Sequence, residues 1–452
     1  MKYNILVFLI LATFLCQGQI GPRQIIADDN DSSYSIFPID LDQDGDIDLV
    51  SAQGVNLVVW YENLGNGEFS QMHIISNNFD WPWAVYCGDI DNDGDIDVVS
   101  ADFGQGSVVL SRNMDGIGQN WNEEMISTNL GTPVSISLAD LDNDGDLDVA
   151  AVSKIGDKLV WFENLDGAGN FGEEIIINSN IDIPSYVNHS DLDNDGDIDL
   201  LTASWDDRIV WFRNDGQANF TFAQTIAFEP PFGNFQYVGS ADLDNDGDFD
   251  VITGGNSGDT VAWYENLNGE GDFGEKNVVD NMAFSVRSIS SIDIDNDGDK
   301  DLLTGGSALF KLVWYENLDG LGSFSDQIFI DQIRAMHTAV ADIDNDGDED
   351  IISTSNGLPN NTINWYENEY LLSNSVPSKR EPIIFPNPTN KILSVQHDLP
   401  IEKASLWTID GRLVMSWENS ITFDLNLIKS GIYHLEIVDI DGNRHIKKII
   451  VE

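Results

Sequence analysis

The chain has 452 residues, with 78 Asp and Glu against 21 Lys and Arg, and a formal net charge of −57. So strong a negative field repels nucleic acid and anionic membrane surfaces before contact is made. With 42% hydrophobic residues and 12 Trp the sequence can still bury a large core, which excludes a disordered acidic polymer.

The first predicted element is a secretory signal over residues 1–18. Lys2 precedes an apolar run from Ile5 to Leu15, and Cys16-Gln17-Gly18-Gln19 follows, with cleavage expected after Gly18. The run is too short to cross about 30 Å of hydrocarbon as an anchor, and no later stretch is long and apolar enough to do so. No transmembrane segment is therefore expected after cleavage. Once Cys16 leaves with the signal, Cys87 is the single remaining cysteine. Its place inside an apolar run, VYCGD, predicts a buried small side chain and no internal disulfide.

From residue 19 to 370 the chain is organised around an aspartate-rich nonamer that occurs seven times, at spacings of 49 or 51 residues. Such a period signals a repeat architecture. In the third copy, VSISLA (134–139) precedes the nonamer, and VAAVS, KLVWFEN and NFGEEIIINSN follow it. Each run is short, β-branched or aromatic, and bounded by Gly, Asp or Asn, so each repeat is predicted to hold four antiparallel strands, A to D. Strand C carries a tryptophan at 60, 161, 211, 263, 314 and 365, read as core; Leu110-Ser111-Arg112-Asn113 replaces the aromatic pair in the second repeat. An asparagine three residues after the tryptophan position is present in all seven repeats.

The last repeat lacks a fourth strand, whereas GPRQIIADD (21–29) resembles a D strand and precedes the first A strand. Pairing the two would close a ring and leave no large exposed edge. The predicted fold is all-β: a seven-bladed β-propeller with four strands per blade, its N-terminal strand closing the last blade. A linker is expected at 371–381 and a small β-sandwich at 382–452. Nine of the 21 Lys and Arg lie beyond residue 376, and this shift in charge marks the boundary.

In D-x-D-x-D-G-x-x-D the carboxylates converge as the chain curls round a point, and hard oxygen ligands in a flexible loop suit Ca²⁺. The candidate ligands are Asp40, Asp42, Asp44, Asp46 and Asp48 in the first loop, and Asp89, Asp91, Asp93, Asp95 and Asp97 in the second. The third and fourth loops offer Asp140, Asp142, Asp144, Asp146, Asp148, Asp191, Asp193, Asp195, Asp197 and Asp199. The fifth offers Asp242, Asp244, Asp246, Asp248 and Asp250. The last two offer Asp293, Asp295, Asp297, Asp299, Asp301, Asp342, Asp344, Asp346, Asp348 and Asp350. The seventh position of each loop is expected to bind through its backbone carbonyl. An EF-hand would need Glu at loop position 12, where this chain has Ser, Ala or Thr, so up to seven structural calcium sites are expected on a different scaffold.

The nonamer followed by Trp-Tyr-Glu-Asn resembles the FG-GAP/VCBS repeat family, the calcium-loop propellers that include integrin α-subunit heads. The resemblance covers residues 21–370 and implies structural calcium loops between strands A and B on the lower face. The tail is similar to the type A C-terminal sorting domain of the type IX secretion system. It matches at Phe385-Pro386-Asn387-Pro388, Ile409-Asp410-Gly411-Arg412, Ser430-Gly431-Ile432-Tyr433 and Lys447-Lys448. That implies recognition by the type IX secretion machinery and a place outside, or on the outer surface of, a Bacteroidetes-type cell.

Function is then expected on the upper face, where loops carry Trp81, Trp83, Phe103, Trp205, Phe232, Phe235 and Phe310. Arg208, Arg287, Arg334 and His337 are the scarce cationic groups near it. The expected role is adhesion, with an extracellular glycan or protein as ligand and no catalytic residues. The alternative is a calcium-dependent polysaccharide lyase or hydrolase.

Overall fold

The computed structural model describes residues 20–28, 32–54, 56–229, 234–255, 260–283, 285–307, 310–357 and 361–369 of one compact unit. Of a second unit it describes the strands named below and residues 412, 420, 425, 426 and 428–430. The expected signal peptide, the linker and Phe232 lie outside the described residues.

The sequence period becomes seven four-stranded antiparallel sheets, the blades of a propeller, and no helix occurs among the described residues. In blade 1, strand A is Ser33–Ile39, B is Asp48–Gln53, C is Leu57–Tyr61 and D is His73–Ser76. The other A strands are Pro82–Gly88, Pro133–Ala139, Pro184–Ser190, Phe235–Ala241, Val286–Ile292 and Ala335–Ala341. Three begin with proline, a position where a missing N–H costs no ladder bond. Each A strand contacts that of the next blade, and the A strand of blade 7 contacts that of blade 1, so the ring is closed.

The outer strand of blade 7 comes from the other end of the propeller. Gln24–Ala27 pairs antiparallel with Ile363–Tyr366, in the register Gln24 to Trp365 and Ile25 to Asn364, as the strand count predicts.

Every B strand is buried along its whole length, because blades cover both of its faces. Such strands read as unbroken apolar or small runs without alternation. The core is divided into layers between neighbouring blades. Trp60, Trp161, Trp211, Trp263, Trp314 and Trp365 are all at most 5% exposed and sit in these layers. Several press against a glycine of the next blade: a Cβ on Gly67 would lie 2.2 Å from the Trp365 ring, and one on Gly322 2.1 Å from that of Trp263. Leu110, which stands in for tryptophan in blade 2, is fully buried, and Cys87 is buried too.

The second unit has two sheets around one core that includes Leu393, Leu406, Phe423, Leu435 and Ile449. Ile401–Thr408, Leu413–Glu418, Gly431–Asp439 and Arg444–Val451 form four strands. Ile383–Phe385, Ile392–Gln396 and Thr422–Asp424 form three. The two three-residue strands are too short to carry a periodic signal, and the sequence pattern does not reveal them.

Deleting Gln24–Ala27 should expose the edge of Ile363–Tyr366. The expected outcome is a lower melting temperature and concentration-dependent association in size-exclusion chromatography. An unchanged, monomeric deletion variant would show that closure contributes nothing.

Candidate functional site

Each nonamer joins strand A to strand B, and its ninth aspartate is the first residue of B. The loop is curled by its own side chains. Asp40 accepts hydrogen bonds from the N–H groups of Asp44 and Gly45 at 3.0 and 3.1 Å, and Asp44 accepts one from Asp46 at 3.0 Å. The sixth residue holds φ between +91° and +100° in all seven loops, a conformation that only glycine adopts without strain.

The ninth aspartates, Asp48, Asp97, Asp148, Asp199, Asp250, Asp301 and Asp350, are at most 1% exposed. One oxygen accepts the N–H of the loop's second residue, as from Leu41 to Asp48 at 3.0 Å. The other accepts the N–H of the asparagine that ends strand C, as from Asn63 at 2.7 Å. Both bonds recur in every blade, at 2.7–3.3 Å. Burial pushes these carboxyls up to about 7, and Asp301 to about 8, against the opposing pull of the backbone bonds.

The asparagine side chain reaches outwards from its own blade. Asn164 Nδ2 donates to the Ile90 carbonyl of the preceding loop at 2.9 Å and to Leu147 of its own loop at 3.4 Å, and its Oδ1 accepts from Gly169 at 3.0 Å. Equivalent bonds to the preceding loop come from Asn63, Asn214, Asn266, Asn317 and Asn368. Asn113 in blade 2 keeps only the glycine bond, and its Nδ2 has no partner.

A second fastening was not read from the sequence. The fourth loop residue, asparagine in six copies and Gln43 in the first, is left-handed at φ +54° to +63°. From there Asn92 donates to Asp146, Asn143 to Asp197, Asn194 to Asp248, Asn245 to Asp299 and Asn345 to Asp46, at 2.5–2.8 Å. The carboxylate of the seventh position thus serves the neighbouring loop. The recurrence of asparagine at the fourth position was the signal available for it.

The remaining carboxylates converge. In each of the first five loops three of them bring oxygens within 4.8 Å of one another: positions 1, 3 and 9 in the first and third loops, and positions 1, 3 and 5 in the second, fourth and fifth. Six of the seven loops hold a buried carboxylate oxygen without a hydrogen-bond partner, at Asp42, Asp89, Asp191, Asp242, Asp295 and Asp344. A buried anionic oxygen without a partner is costly unless a cation meets it. These groups could hold a metal ion, and their hard-oxygen set fits a calcium-like one.

At the other end of the A strands lies a cavity of about 630 Å³ on the axis of the ring, lined by A strands from all seven blades. Each A strand carries a β-bulge between its first and third residues. The bulged residues are Tyr34, Trp83, Val134, Ser185, Gln236, Arg287 and Met336, and all of them line the cavity. Of the sequence-predicted residues, Trp83, Trp205 and His337 line it too, and burial pushes the His337 imidazole down to about 4. Trp81 and Phe103 pack on Trp83 at centroid distances of 6.5 and 5.4 Å. Phe310 is 40% exposed in the turn after strand B of blade 6. Phe235 is 3% exposed and belongs to the core shared with Trp211 and Tyr264; its neighbour Gln236 is the residue that the bulge turns to the cavity. Tyr34, Gln236 and Lys154 were missed, because a bulge leaves no mark in the hydrophobic pattern.

Two outcomes test the fastening. Asn164→Ala should cost about 2–3 kcal/mol, by leaving buried groups unpaired, and Asn113→Ala about 1 kcal/mol, measured by denaturant unfolding; equal costs would refute the assigned partners. Because the ninth carboxyls have native pKa values above their unfolded value, they stabilise the fold at low pH and lose that contribution as pH rises through about 7. In chelator, the melting temperature should therefore fall between pH ~4 and ~8. A melting temperature that climbs across that window would show that these carboxyls are ionised in the metal-free fold.

Residues 40–100, 89–151, 191–253, 242–304 and 293–353 match the FG-GAP-like repeat family, and residues 383–452 match the secretion system C-terminal sorting domain. No curated protein matches the chain. Among solved structures, BBS1N in complex with ARL6DN, from crystals soaked with mercury and with lead, is similar at 11% and 10% identity. Those matches cover 77% of this chain and 95% and 96% of the other, with TM-scores of 0.53 and 0.54. They carry the fold alone. A structure of N-acetylglucosamine recognition by an Agrocybe aegerita lectin is similar at 21% identity over 67% of this chain and 81% of that one, with a TM-score of 0.47. The repeats, the closed ring and the tail lead to one conclusion: the chain belongs to the FG-GAP-like repeat family, as a seven-bladed propeller with a type IX sorting domain, and is a secreted or cell-surface protein.

Proposed function

We propose that the protein is an adhesion module of a Bacteroidetes-type cell, rigidified by calcium, that takes an extracellular glycan or protein at the channel mouth. The observation that carries this reading is the aromatic cluster there. Tyr34 and Trp83 stack at 4.8 Å with their planes 15° apart, and Trp81 meets Phe103 at 6.0 Å. Trp81 is 41% exposed and holds φ +80°, a strained conformation for a bulky residue. Exposed aromatics held rigidly beside a concave opening have the form of a ligand site.

Calcium enters as the cation that the loops need. Binding through the partnerless oxygens would remove the repulsion among five aspartates, and at free calcium about 100-fold above Kd each loop would gain about 2.7 kcal/mol. The loops are not equivalent. After the aromatic pair most blades have glutamate, but blades 2 and 4 have Arg112 and Arg213. Arg112 lies 2.7 Å from Asp91, and Arg213 lies 2.6 and 2.8 Å from Asp193 and Asp195. In these loops a guanidinium already offsets part of the negative charge.

EDTA should lower the melting temperature sharply and calcium should restore it; an unchanged melt sinks the calcium reading. A calorimetric titration should resolve tight loops with glutamate and weak loops with arginine, and Arg213→Glu should convert a weak site into a tight one. Uniform affinities would refute that distinction. On a glycan array, Trp81→Ala with Trp83→Ala should abolish binding, and retained binding would move the ligand elsewhere.

A further inference from the structure

Seven copies of one unit fold alike, so positions that differ among copies are those that the fold leaves free. The nonamer keeps aspartate at five positions in every copy, whereas the bulged residue of strand A is different in each blade. These bulged residues all line the cavity, and bulges are common beside functional sites.

The side chains of the bulges and of the turns beside them are sorted by chemistry around the ring. Blades 1 and 2 supply the aromatic wall of Tyr34, Trp81, Trp83 and Phe103. Blades 3, 6 and 7 supply Lys154, Arg287 and Arg334. None of these three cations forms an ion pair among the described residues, although the chain carries a net charge of −57. Lys154 Nζ lies 3.5 Å over the Trp205 ring, and among the described residues Arg287 donates to Gln236 and Ser307, at 3.0 and 3.3 Å. Burial and the charge of Arg287 lower the Lys154 pKa, and burial and Arg334 lower that of Arg287, so the three share one field.

Hydrogen-bond donors are idle at the same place. Trp205 Nε1, Gln236 Nε2 and Arg334 Nε are buried and have no partner among the described residues. Buried donors in a native structure usually find an acceptor, and a cluster of unmet donors beside unpaired cations is complementary to an anion with several lone pairs.

We infer that the channel mouth recognises a saccharide terminus bearing a carboxylate or sulfate, its ring against the Trp83 wall and its anion between Lys154 and Arg287. This rests on the binding role proposed above and specifies the ligand class. A cavity of about 630 Å³ can enclose a sugar residue. An acidic protein would instead bring an extended negative surface against a negative body, whereas a single terminal anion meets only the local positive spot.

The test uses the full chain in calcium with three matched oligosaccharides, ending in glucuronate, in sulfated glucose or in plain glucose, and an acidic peptide. Isothermal titration should show that one or both acidic termini bind at least roughly tenfold more tightly than plain glucose, and the two arms distinguish carboxylate from sulfate. Lys154→Met and Arg287→Gln should each remove that preference without shifting the melting temperature, and Trp83→Ala should weaken all saccharides alike. If Arg287→Gln fails to fold, Lys154→Met, which breaks no hydrogen bond described above, decides alone. Equal affinity for neutral and acidic termini, or an unchanged preference in Lys154→Met, overturns this inference and leaves the binding role standing. Binding of the peptide alone overturns the saccharide class. Binding of no arm overturns this inference, while the glycan array with the tryptophan variants judges the binding role separately.

Discussion

A carboxyl group taken out of water must be given hydrogen bonds, and in this propeller the ninth aspartate of each nonamer is given two from the backbone. One comes from the loop's second residue and the other from the end of strand C, so a single side chain fixes the loop, strand B and strand C together. The asparagine that donates one of those bonds uses its side chain to hold the preceding loop. The fourth loop residue then holds the following one. The ring is therefore bonded through its loops as well as packed through its blades, and without a disulfide among the described residues.

Much of this was legible in the sequence, and for physical reasons. A loop curled by its own carboxylates needs aspartate at the positions that accept its N–H groups and glycine at the sixth, where φ is positive, so its shape is written in its sequence. Strands buried on both faces must be apolar or small throughout, and a tryptophan that presses on a neighbouring glycine leaves no room for either to change. The displaced strand at Gln24–Ala27 was legible because strands can be counted. The role of the strand C asparagine was not: its recurrence was visible, but the carbonyl that it holds in the preceding blade is brought near only by the folded chain.

The channel mouth was legible in part. Aromatic residues in loops pointed to the end of the ring at which Trp81, Trp83, Phe103 and Trp205 gather. Phe235 shows where sequence reasoning stops. Its neighbour Gln236 reaches the cavity instead, because a bulge shifts which of two adjacent side chains points inwards, and hydrophobic alternation carries no trace of that shift. Lys154 gave no signal because a lone lysine in a turn is ordinarily solvated, and only its seat over Trp205 distinguishes it.

The pairing of Gln24 with Trp365 has a consequence for the order of events. Each of the other blades is built from one continuous stretch and can form as soon as that stretch is available. Blade 7 cannot, since its outer strand is translated before all the others and its inner strands after them. The entropy of joining such distant segments grows only slowly with the length between them, by about 0.6 kcal/mol for each doubling, so the delay is one of timing more than of energy. Until that strand docks, the chain is an open arc with two unmatched blade faces. The same pairing brings the propeller's two chain ends side by side, with Gly21 donating to the Glu367 carbonyl at 2.7 Å, so the ring has a natural seam at which a circular permutant could be joined and reopened elsewhere.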